Sequence, residues 1–356
     1  MTRIAAVRGA LPIHRHTQAE LAEMTADLCG IDAPHRALLD RLYSRAGVQT
    51  RHTVLPLTDY RKLHDLGATN DLYIEYATDL GEQAIRNALE AAETPTCDID
   101  LLMVTSVTGV AVPSLDARLA PRLGLRPDVK RLPVFGLGCV AGAAGLARVH
   151  DYLLAWPGHT AVLLAVELCS LSMPRENPST ADLVVSGLFG DGAMALVAHG
   201  DRVCRPGPGR AVGPVVVASR SELCPDSGDV LGWRLGAEGF RIALTTALPE
   251  VVERHLGACV RAFLAEHALT LDDIDSWVCH PGGPAVIDAV QHALVLPGSA
   301  LAATRASLAQ VGNLSSASVL HVLQKTMEAN RPAPGSYGLV IGLGPGVSIE
   351  LVLLRW

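Results

Sequence analysis

Residues 131–150 read Arg-Leu-Pro-Val-Phe-Gly-Leu-Gly-Cys-Val-Ala-Gly-Ala-Ala-Gly-Leu-Ala-Arg-Val-His, and the reading of the whole chain turns on them. The first part, Leu132 to Leu137, is short, apolar and broken by Gly136, the pattern of a buried strand. The last part, Val140 to Leu154, carries alanine and leucine at helical spacing and predicts a helix packed closely through small residues. Cys139 stands at the junction, with Gly138 and Gly142 on either side. A strand that turns sharply into a helix puts this side chain at the helix N-terminus. Free amides and the helix dipole favour an anion there, so the thiol is expected to ionise more readily than usual. A cysteine in a tight turn is commonly a small packing residue. The glycines and alanines around this one leave space beside the sulfur, as a nucleophile needs.

Outward from this stretch the chain repeats itself. Asp98-Ile99-Asp100 follows a helical pattern over residues 70–93 and precedes the apolar strand Leu101 to Thr105. Asp273-Ile274-Asp275 follows a second helical pattern, Pro249 to His267, and precedes the strand-like Ser276 to Cys279. Cys139 has its positional counterpart in Asn313, and the strand beginning at Ala161 has one near Gly338. Three landmarks in one order at nearly one offset indicate an internal duplication. Apolar strands alternating with helices give an α/β protein with a largely parallel sheet. The predicted division is 1–205, carrying the cysteine, and 206–356, with the proline- and glycine-rich stretch 201–214 as a surface crossover. Near the start, Thr17 and Glu20 form a capping box opening a helix that Gly30 closes. Another helix is expected from Pro34 to before Gly47, then an extended piece from Val48 to Leu55.

Composition narrows the function. The 356 residues are 49% hydrophobic and 18% charged, ample for a large shared core. A formal charge of −7 without runs of lysine and arginine argues against a general nucleic-acid binder. Apolar runs such as Ala161 to Val166 end at Glu167, well short of the roughly 18 residues a membrane span needs. No leader pattern is read at the N-terminus, and the expected location is the cytoplasm. The eight cysteines never form a Cys-x-x-Cys pair, so neither a disulfide framework nor a zinc site is expected.

Three residues carry the chemistry in this reading. Cys139 is the first. His280 closes the strand Trp277 to Cys279 and precedes Pro281-Gly282-Gly283, a turn expected to expose it. Asn313 lies in Gln310-Val311-Gly312-Asn313-Leu314-Ser315-Ser316, just before a helix. Ligands of open α/β sheets gather beyond the carboxyl ends of strands, so the three can converge. Histidine beside a thiol can take its proton, and an asparagine amide can donate to an oxyanion without adding charge.

With these residues in place the sequence resembles a family. Gly138-Cys139-Val140-Ala141-Gly142, Gly187-Leu188-Phe189-Gly190-Asp191-Gly192-Ala193, His280-Pro281-Gly282-Gly283, Gly312-Asn313-Leu314-Ser315-Ser316 and Gly342-Leu343-Gly344-Pro345-Gly346 are similar to the type III polyketide synthases, the chalcone synthase-like branch of the thiolase superfamily. The resemblance implies a thiolase-like fold of two similar α/β halves with a five-layered αβαβα core, and a homodimer. It implies that Cys139 carries the acyl chain, while His280 and Asn313 stabilise the enolate of decarboxylated malonyl-CoA and the oxyanion of condensation. Phe189 matches the gatekeeper between a CoA tunnel and the reaction cavity, with Phe240 as its expected partner. Val107, Thr108, Cys169, Ser172, Ser315 and Leu343 match cavity positions, and Val112 is expected to reach into the partner subunit's pocket. Arg45 and Arg51 stand where the family places cations at the tunnel mouth. Substrates are acyl-CoA and malonyl-CoA, with methylmalonyl-CoA as the alternative extender, and no metal or redox cofactor is expected. Gly136-Leu137-Gly138 and Gly232-Trp233-Arg234 resemble bacterial alkylresorcinol and alkylpyrone synthases, which take fatty acyl starters. Leu343 departs from the phenylalanine of many members. A β-ketoacyl synthase of fatty-acid synthesis, a Cys-His-Asn hydrolase and a non-catalytic acyl-binding homologue are the rival readings.

Overall fold

A computed structural model describes the chain apart from residues 64, 176–177, 204–212, 237–238 and 330; most of the expected crossover therefore lies outside the described residues. In chain order the elements are β1 (Thr2–Ala10), β2 (His14–Thr17), α1 (Gln18–Cys29), α2 (Ala33–Arg45), β3 (Thr50–Thr53), α3 (Leu66–Ala91), β4 (Ile99–Thr105), α4 (Leu115–Leu123), β5 (Lys130–Val134) and α5 (Ala141–Ala155). They continue as β6 (Thr160–Leu168), α6 (Thr180–Leu188), β7 (Asp191–Gly200), β8 (Val215–Leu223), β9 (Leu231–Gly236), β10 (Gly239–Leu244) and α7 (Leu248–Ala265). The last are β11 (Ile274–Cys279), α8 (Pro284–Ala293), α9 (Ala302–Val311), α10 (Ser318–Ala329), β12 (Tyr337–Gly344) and β13 (Ser348–Arg355). The Thr17–Glu20 capping box and the left-handed Gly30 bound α1 as expected. α3 starts four residues earlier than the periodicity suggested, because the Asp65 side chain accepts from the Ala68 amide and caps a first turn containing Gly67.

Each Asp-Ile-Asp triplet opens the same unit. A short 3-10 turn ends at the first aspartate, and the isoleucine begins β4 in one case and β11 in the other. β4 pairs in parallel with β6, which pairs antiparallel with β7, which pairs antiparallel with β1. β11 pairs in parallel with β12, which pairs antiparallel with β13, which pairs antiparallel with β8. The two series meet where β1 and β8 share only Thr2↔Val216 and Arg3↔Val215, giving one sheet of order β11-β12-β13-β8-β1-β7-β6-β4-β5. The sheet is mixed rather than largely parallel. Apolar strands signal burial on both faces, and direction is set by the connections, which the apolar pattern does not encode.

Burial on both faces is visible along β4 and β6. Leu102, Val104, Val162, Leu164 and Val166 pack with α1, α3 and α4. Leu101, Met103, Leu163 and Ala165 face the other way, onto α5 and α10, and Val278, Val340 and Val352 of the second series reach the same helices from their side. The remaining face of the second series is covered by α7 and α8 through Val252, Leu256, Val260, Ile287 and Val290. The result is helix, half-sheet, central α5 and α10, half-sheet, helix: the five layers of a thiolase-like fold.

β5 corrects the first expectation drawn from the opening stretch. It is not buried: Lys130 to Pro133 are exposed, and Leu132 is 41%, Phe135 51% and Leu137 38% accessible. The strand pairs only with β4 and is one of the sheet's two end strands; Val134 packs toward the central helices, whereas Leu132 lies largely uncovered among the described residues.

Candidate active site

The loops beyond the carboxyl ends of β4, β6, β11 and β12 converge beneath the N-terminus of α5. Cys139 lies in a 3-10 turn, Gly138–Val140, that runs straight into α5. Gly138 has φ +60°, and a Cβ there would lie 2.5 Å from the Pro345 ring, so the loop after β12 closes directly onto the cysteine turn. The thiol is half-buried and donates to the Ser315 hydroxyl at 3.5 Å. Burial pushes it up to about 12, contrary to the easier ionisation expected from the helix N-terminus. Loss of solvent around the sulfur, with the nearby Glu167 carboxylate, favours the thiol, and the Ser315 hydroxyl opposes that shift.

His280 follows the last residue of β11, and its amide donates to Ile341 O at 2.9 Å. The turn Pro281-Gly282-Gly283 does not expose it: the residue is 2% accessible, and burial lowers the imidazole to about 4. Nδ1 is shut away without a partner, leaving Nε2 as the nitrogen for chemistry. A neutral imidazole at neutral pH can take the thiol proton or donate one to an oxyanion.

Asn313 sits not at a strand end but between α9 and the turn into α10, where it forms an isolated parallel bridge with Phe189. Its amide donates to Leu188 O at 2.8 Å, and its carbonyl accepts from Gly190 N at 3.0 Å. The side-chain Oδ1 accepts from Ser315 N at 2.8 Å and from the Ser318 hydroxyl at 3.1 Å. A backbone N–H can only donate, so this assigns the amide orientation and leaves the NH2 end to act as donor. Ser315 holds the unusual φ of +50°, strain that places its amide on Asn313 and its hydroxyl on Cys139.

Cys139, His280 and Asn313 all line one cavity of about 780 Å³, together with Phe189, Leu343 and Arg45. A smaller pocket of about 80 Å³ opens on the far side of the thiol, lined by Val107, Thr108, Cys169, Ser172, Phe240 and Ser315. Cys139, Phe189, Leu231 and Ile242 belong to both walls, so the sulfur stands at a throat. Phe189 is thus among the residues the two walls share. Phe240 lines the inner pocket with it but not the larger cavity, and lies edge-on to Trp233 with ring centroids 4.6 Å apart, whereas Ile242 borders both. The β9–β10 ladder pairs Ile242 with Trp233 and Phe240 with Leu235, so Phe240 and Ile242 share a face two residues apart. That period of two was the signal available in the sequence for Ile242.

One other assignment changes. Arg51 is 0% accessible and gives its Nη1 to the carbonyls of Ser186 and Phe189, each at 2.6 Å; it is no contact for CoA. Its alternation along β3 turns it inward, whereas Arg45 in the last turn of α2 does reach the cavity. Val112 is 96% accessible and touches neither pocket within the chain.

Glu167 lies near the end of β6, where the apolar run stops. It is fully buried, and its carboxylate accepts from Ser316 at 2.5 Å, Val107 N and Thr108 at 3.1 Å each, and Ser106 at 3.3 Å. Burial raises it to about 7, the four donors opposing the shift. An acidic residue inside a strand whose every neighbour is apolar was the available sign of a buried network.

Comparison with known proteins agrees with this geometry. A model of the N-terminal domain of chalcone and stilbene synthases matches residues 1–202, and one of their C-terminal domain matches residues 215–356. The chain is 54% identical over 355 residues to the 1,3,6,8-tetrahydroxynaphthalene synthase of Streptomyces peucetius subsp. caesius, covering 100% of this chain and 93% of that one. It is 34% identical to a putative chalcone synthase of Bacillus subtilis, covering 89% of each. Among solved structures, the 1,3,6,8-tetrahydroxynaphthalene synthase of Streptomyces coelicolor A3(2), a bacterial type III polyketide synthase, superposes with a TM-score of 0.92 at 31% identity over 99% of both chains.

Proposed function

The chain belongs to the chalcone and stilbene synthase family, the type III polyketide synthases, and on that premise we propose how it works and what it makes. The observation that carries the reading is the meeting of Cys139, His280 and Asn313 on one cavity wall, beside a throat lined by Phe189 and Ile242. In the proposed division of labour, half 1–205 supplies the nucleophile and half 206–356 the groups that hold negative charge.

Loading begins when neutral His280 takes the Cys139 proton as the sulfur attacks an acyl-CoA carbonyl. The new C–S bond forms as the C–S bond to CoA breaks; the CoA thiolate leaves and takes its proton from solvent, while His280 keeps the thiol proton on Nε2 until the Cys139 thiolate is released. Malonyl-CoA then loses carbon dioxide, and the electron pair of the broken C–C bond stays on the acetyl-CoA enolate. The Asn313 NH2 and the His280 N–H donate to the enolate oxygen in a cavity that excludes water. The enolate carbon attacks the Cys139 thioester, the thiolate leaves, and the extended chain is returned to CoA for reloading. Decarboxylation supplies the carbanion, so this chemistry calls for neither metal nor redox cofactor. Arg45, at the cavity edge, is the cation available to CoA phosphates.

One feature favours a small aromatic product over an alkylpyrone or alkylresorcinol: the chain is 54% identical to a tetrahydroxynaphthalene synthase. Pocket size does not decide between them, because the inner pocket of about 80 Å³ adjoins a second space of about 320 Å³ across Ser172, Phe240 and Ile242. A ten-carbon polyhydroxynaphthalene is the carbon count of malonate-derived two-carbon units alone. The substrates suggest a cytoplasmic enzyme, and no helix among the described residues is long and apolar enough to cross a membrane. A homodimer is supported by the uncovered apolar edge: Leu132, Phe135 and Leu137, with Val110 and Val112 nearby in the chain.

The test is mass spectrometry of products from purified protein given malonyl-CoA alone and then with acyl-CoA starters from acetyl to palmitoyl. A polyhydroxynaphthalene from malonyl-CoA alone supports the reading. Alkylpyrones or alkylresorcinols made only with long starters would restore the fatty-acyl alternative, and condensation only on carrier-bound malonate would reassign the chain to fatty-acid synthesis.

A further inference from the structure

Arg51 is left over once its CoA role is removed, and its surroundings give it another. A fully buried guanidinium normally sits against a carboxylate, because an unpaired charge in the interior is costly. Among the described residues no carboxylate hydrogen-bonds to Arg51; the buried Asp191 is close enough to favour its charge without bonding to it, Nη1 holds two backbone carbonyls, and Nε and Nη2 make no hydrogen bond. The carbonyls belong to Ser186 and Phe189, at the C-terminal end of α6, where unsatisfied oxygens and the helix dipole concentrate negative potential. α6 has no basic residue of its own in that turn. The Tyr43 ring lies beneath the guanidinium, 5.6 Å from its centroid, and the Tyr43 hydroxyl also donates to Ser186 O at 3.0 Å. The helix end is then completed by Gln18, which donates to Gly187 O at 2.7 Å, and by Asn313 N on Leu188 O at 2.8 Å.

The same four residues therefore link the end of α6 to the active site. The Phe189–Asn313 bridge is only one residue long and has no ladder on either side to hold its register. Its position is fixed instead by what grips it, and Arg51 grips the Phe189 carbonyl from β3. The fit is close on the Asn313 side as well. A Cβ on Gly312, whose φ is +71°, would lie 2.6 Å from Leu188 O and 2.9 Å from the Arg51 stem. The stem thus packs against the residue preceding Asn313 while the guanidinium holds Phe189.

We propose that Arg51 is a positioning residue for the reaction: by clamping the C-terminal carbonyls of α6 it sets where Phe189 and Asn313 meet, and so where the Asn313 amide stands in the cavity. The inference rests on the functional reading above, in which Asn313 serves decarboxylation and condensation but not loading. Removal of the clamp consequently separates the two stages of the reaction.

The experiment uses the full chain with Arg51→Met and Arg51→Lys, reading three quantities. They are Cys139 acylation by a starter acyl-CoA (intact mass), malonyl-CoA decarboxylation, and kcat and KM for product. Arg51→Met is expected to keep acylation within about threefold and malonyl-CoA KM within about threefold, while decarboxylation and kcat fall together by about 100-fold. Arg51→Lys retains a cation but not the fork, and is expected to fold and lose about tenfold in the same two quantities. Adding Asn313→Ala to either variant is expected to cost no more than Asn313→Ala alone. A rise in KM for CoA thioesters with kcat unchanged would overturn the proposal and return Arg51 to substrate binding. Equal loss of acylation and decarboxylation in Arg51→Lys would overturn it in favour of a purely structural role. Wild-type protein that neither decarboxylates nor condenses malonyl-CoA removes the functional reading itself, before any variant is made.

Discussion

The two halves of this chain use one frame for different ends. β4-β6-β7-β1 and β11-β12-β13-β8 pair in the same order and directions, yet corresponding places hold different chemistry. The turn before the central helix α5 carries Cys139, whereas the turn before α10 follows Asn313. Thr105 ends β4 where His280 follows β11. A duplicated fold brings strand ends together across the central helices, so Cys139 from one half and His280 and Asn313 from the other line one cavity, as the proposed division of labour requires. Each half alone would have a site without half its reaction.

In the turn before α10 the place matching Cys139 is Ser316, and Asn313 precedes that turn, so the expected pairing of Cys139 with Asn313 is off by three residues. The most severe way to break the division is to alter the residue each half brings to the cavity. Cys139→Ala is expected to abolish acylation and all product, by several orders of magnitude in kcat. Asn313→Ala is expected to leave Cys139 acylation by a starter nearly intact while decarboxylation falls by about 100-fold or more. Intact-mass analysis together with acetyl-CoA formation from malonyl-CoA distinguishes them. Equal loss of acylation in the two variants would show that the halves do not divide the work.

Next in size is the contact by which the halves hold each other. A Cβ on Gly142, in the first turn of α5, would lie 2.2 Å from the Ser316 carbonyl and 2.8 Å from Val319 in the opposite half. Gly142→Ala must push backbone against backbone and is expected to lower stability by about 3 kcal/mol, the upper range for overpacking a core. Gly158 has nothing within 4 Å of its Cβ site, so Gly158→Ala is expected to stay within about 0.5 kcal/mol. Denaturant midpoints decide it, and similar values for both variants would mean that the central helices are not packed this tightly.

The halves also differ at their outer edges. The first half carries an additional strand, β5, with apolar residues facing solvent, while β11 ends the other side of the sheet. A Leu132→Glu, Phe135→Glu variant is expected to shift a sedimentation profile from dimer to monomer. A wild-type protein already monomeric at micromolar concentration would remove this edge as an interface. The free edge shows where sequence reading stopped. The duplication was legible because Asp98-Ile99-Asp100 and Asp273-Ile274-Asp275 are local signals repeated at one spacing. Cys139 and its turn were legible for the same reason. An apolar strand such as 132–134 reads identically whether another strand, a helix or a second chain covers it. Strand direction, the inward turn of Arg51 and the burial of His280 likewise depend on neighbours distant in sequence. Phe240 and Ile242 share one face of β10, so which of them borders both pockets depends on neighbours distant in sequence rather than on the period of two.

The smallest effect concerns the ends of β6 and β12. At the end of β6 stands the buried Glu167 network; the matching place in β12 is Gly344, with no side chain. Burial holds the Glu167 carboxyl at about 7, above its ordinary 4.5. Between those values the folded chain keeps a proton that the unfolded chain has released, so stability falls as pH rises through this window. Asp191, raised to about 6 by burial, adds a slope of the same sign from its own ordinary 3.8. Glu167→Gln removes the first contribution and leaves the second. A glutamine can keep the carbonyl that accepts from Val107 N, while the Ser316 hydroxyl turns to accept from the new amide. Denaturant midpoints measured from pH 5 to 7 are expected to decline less steeply in the variant than in the wild type. Parallel curves would mean that Glu167 is already ionised in the fold, and that the first half holds a buried charge where the second half holds nothing.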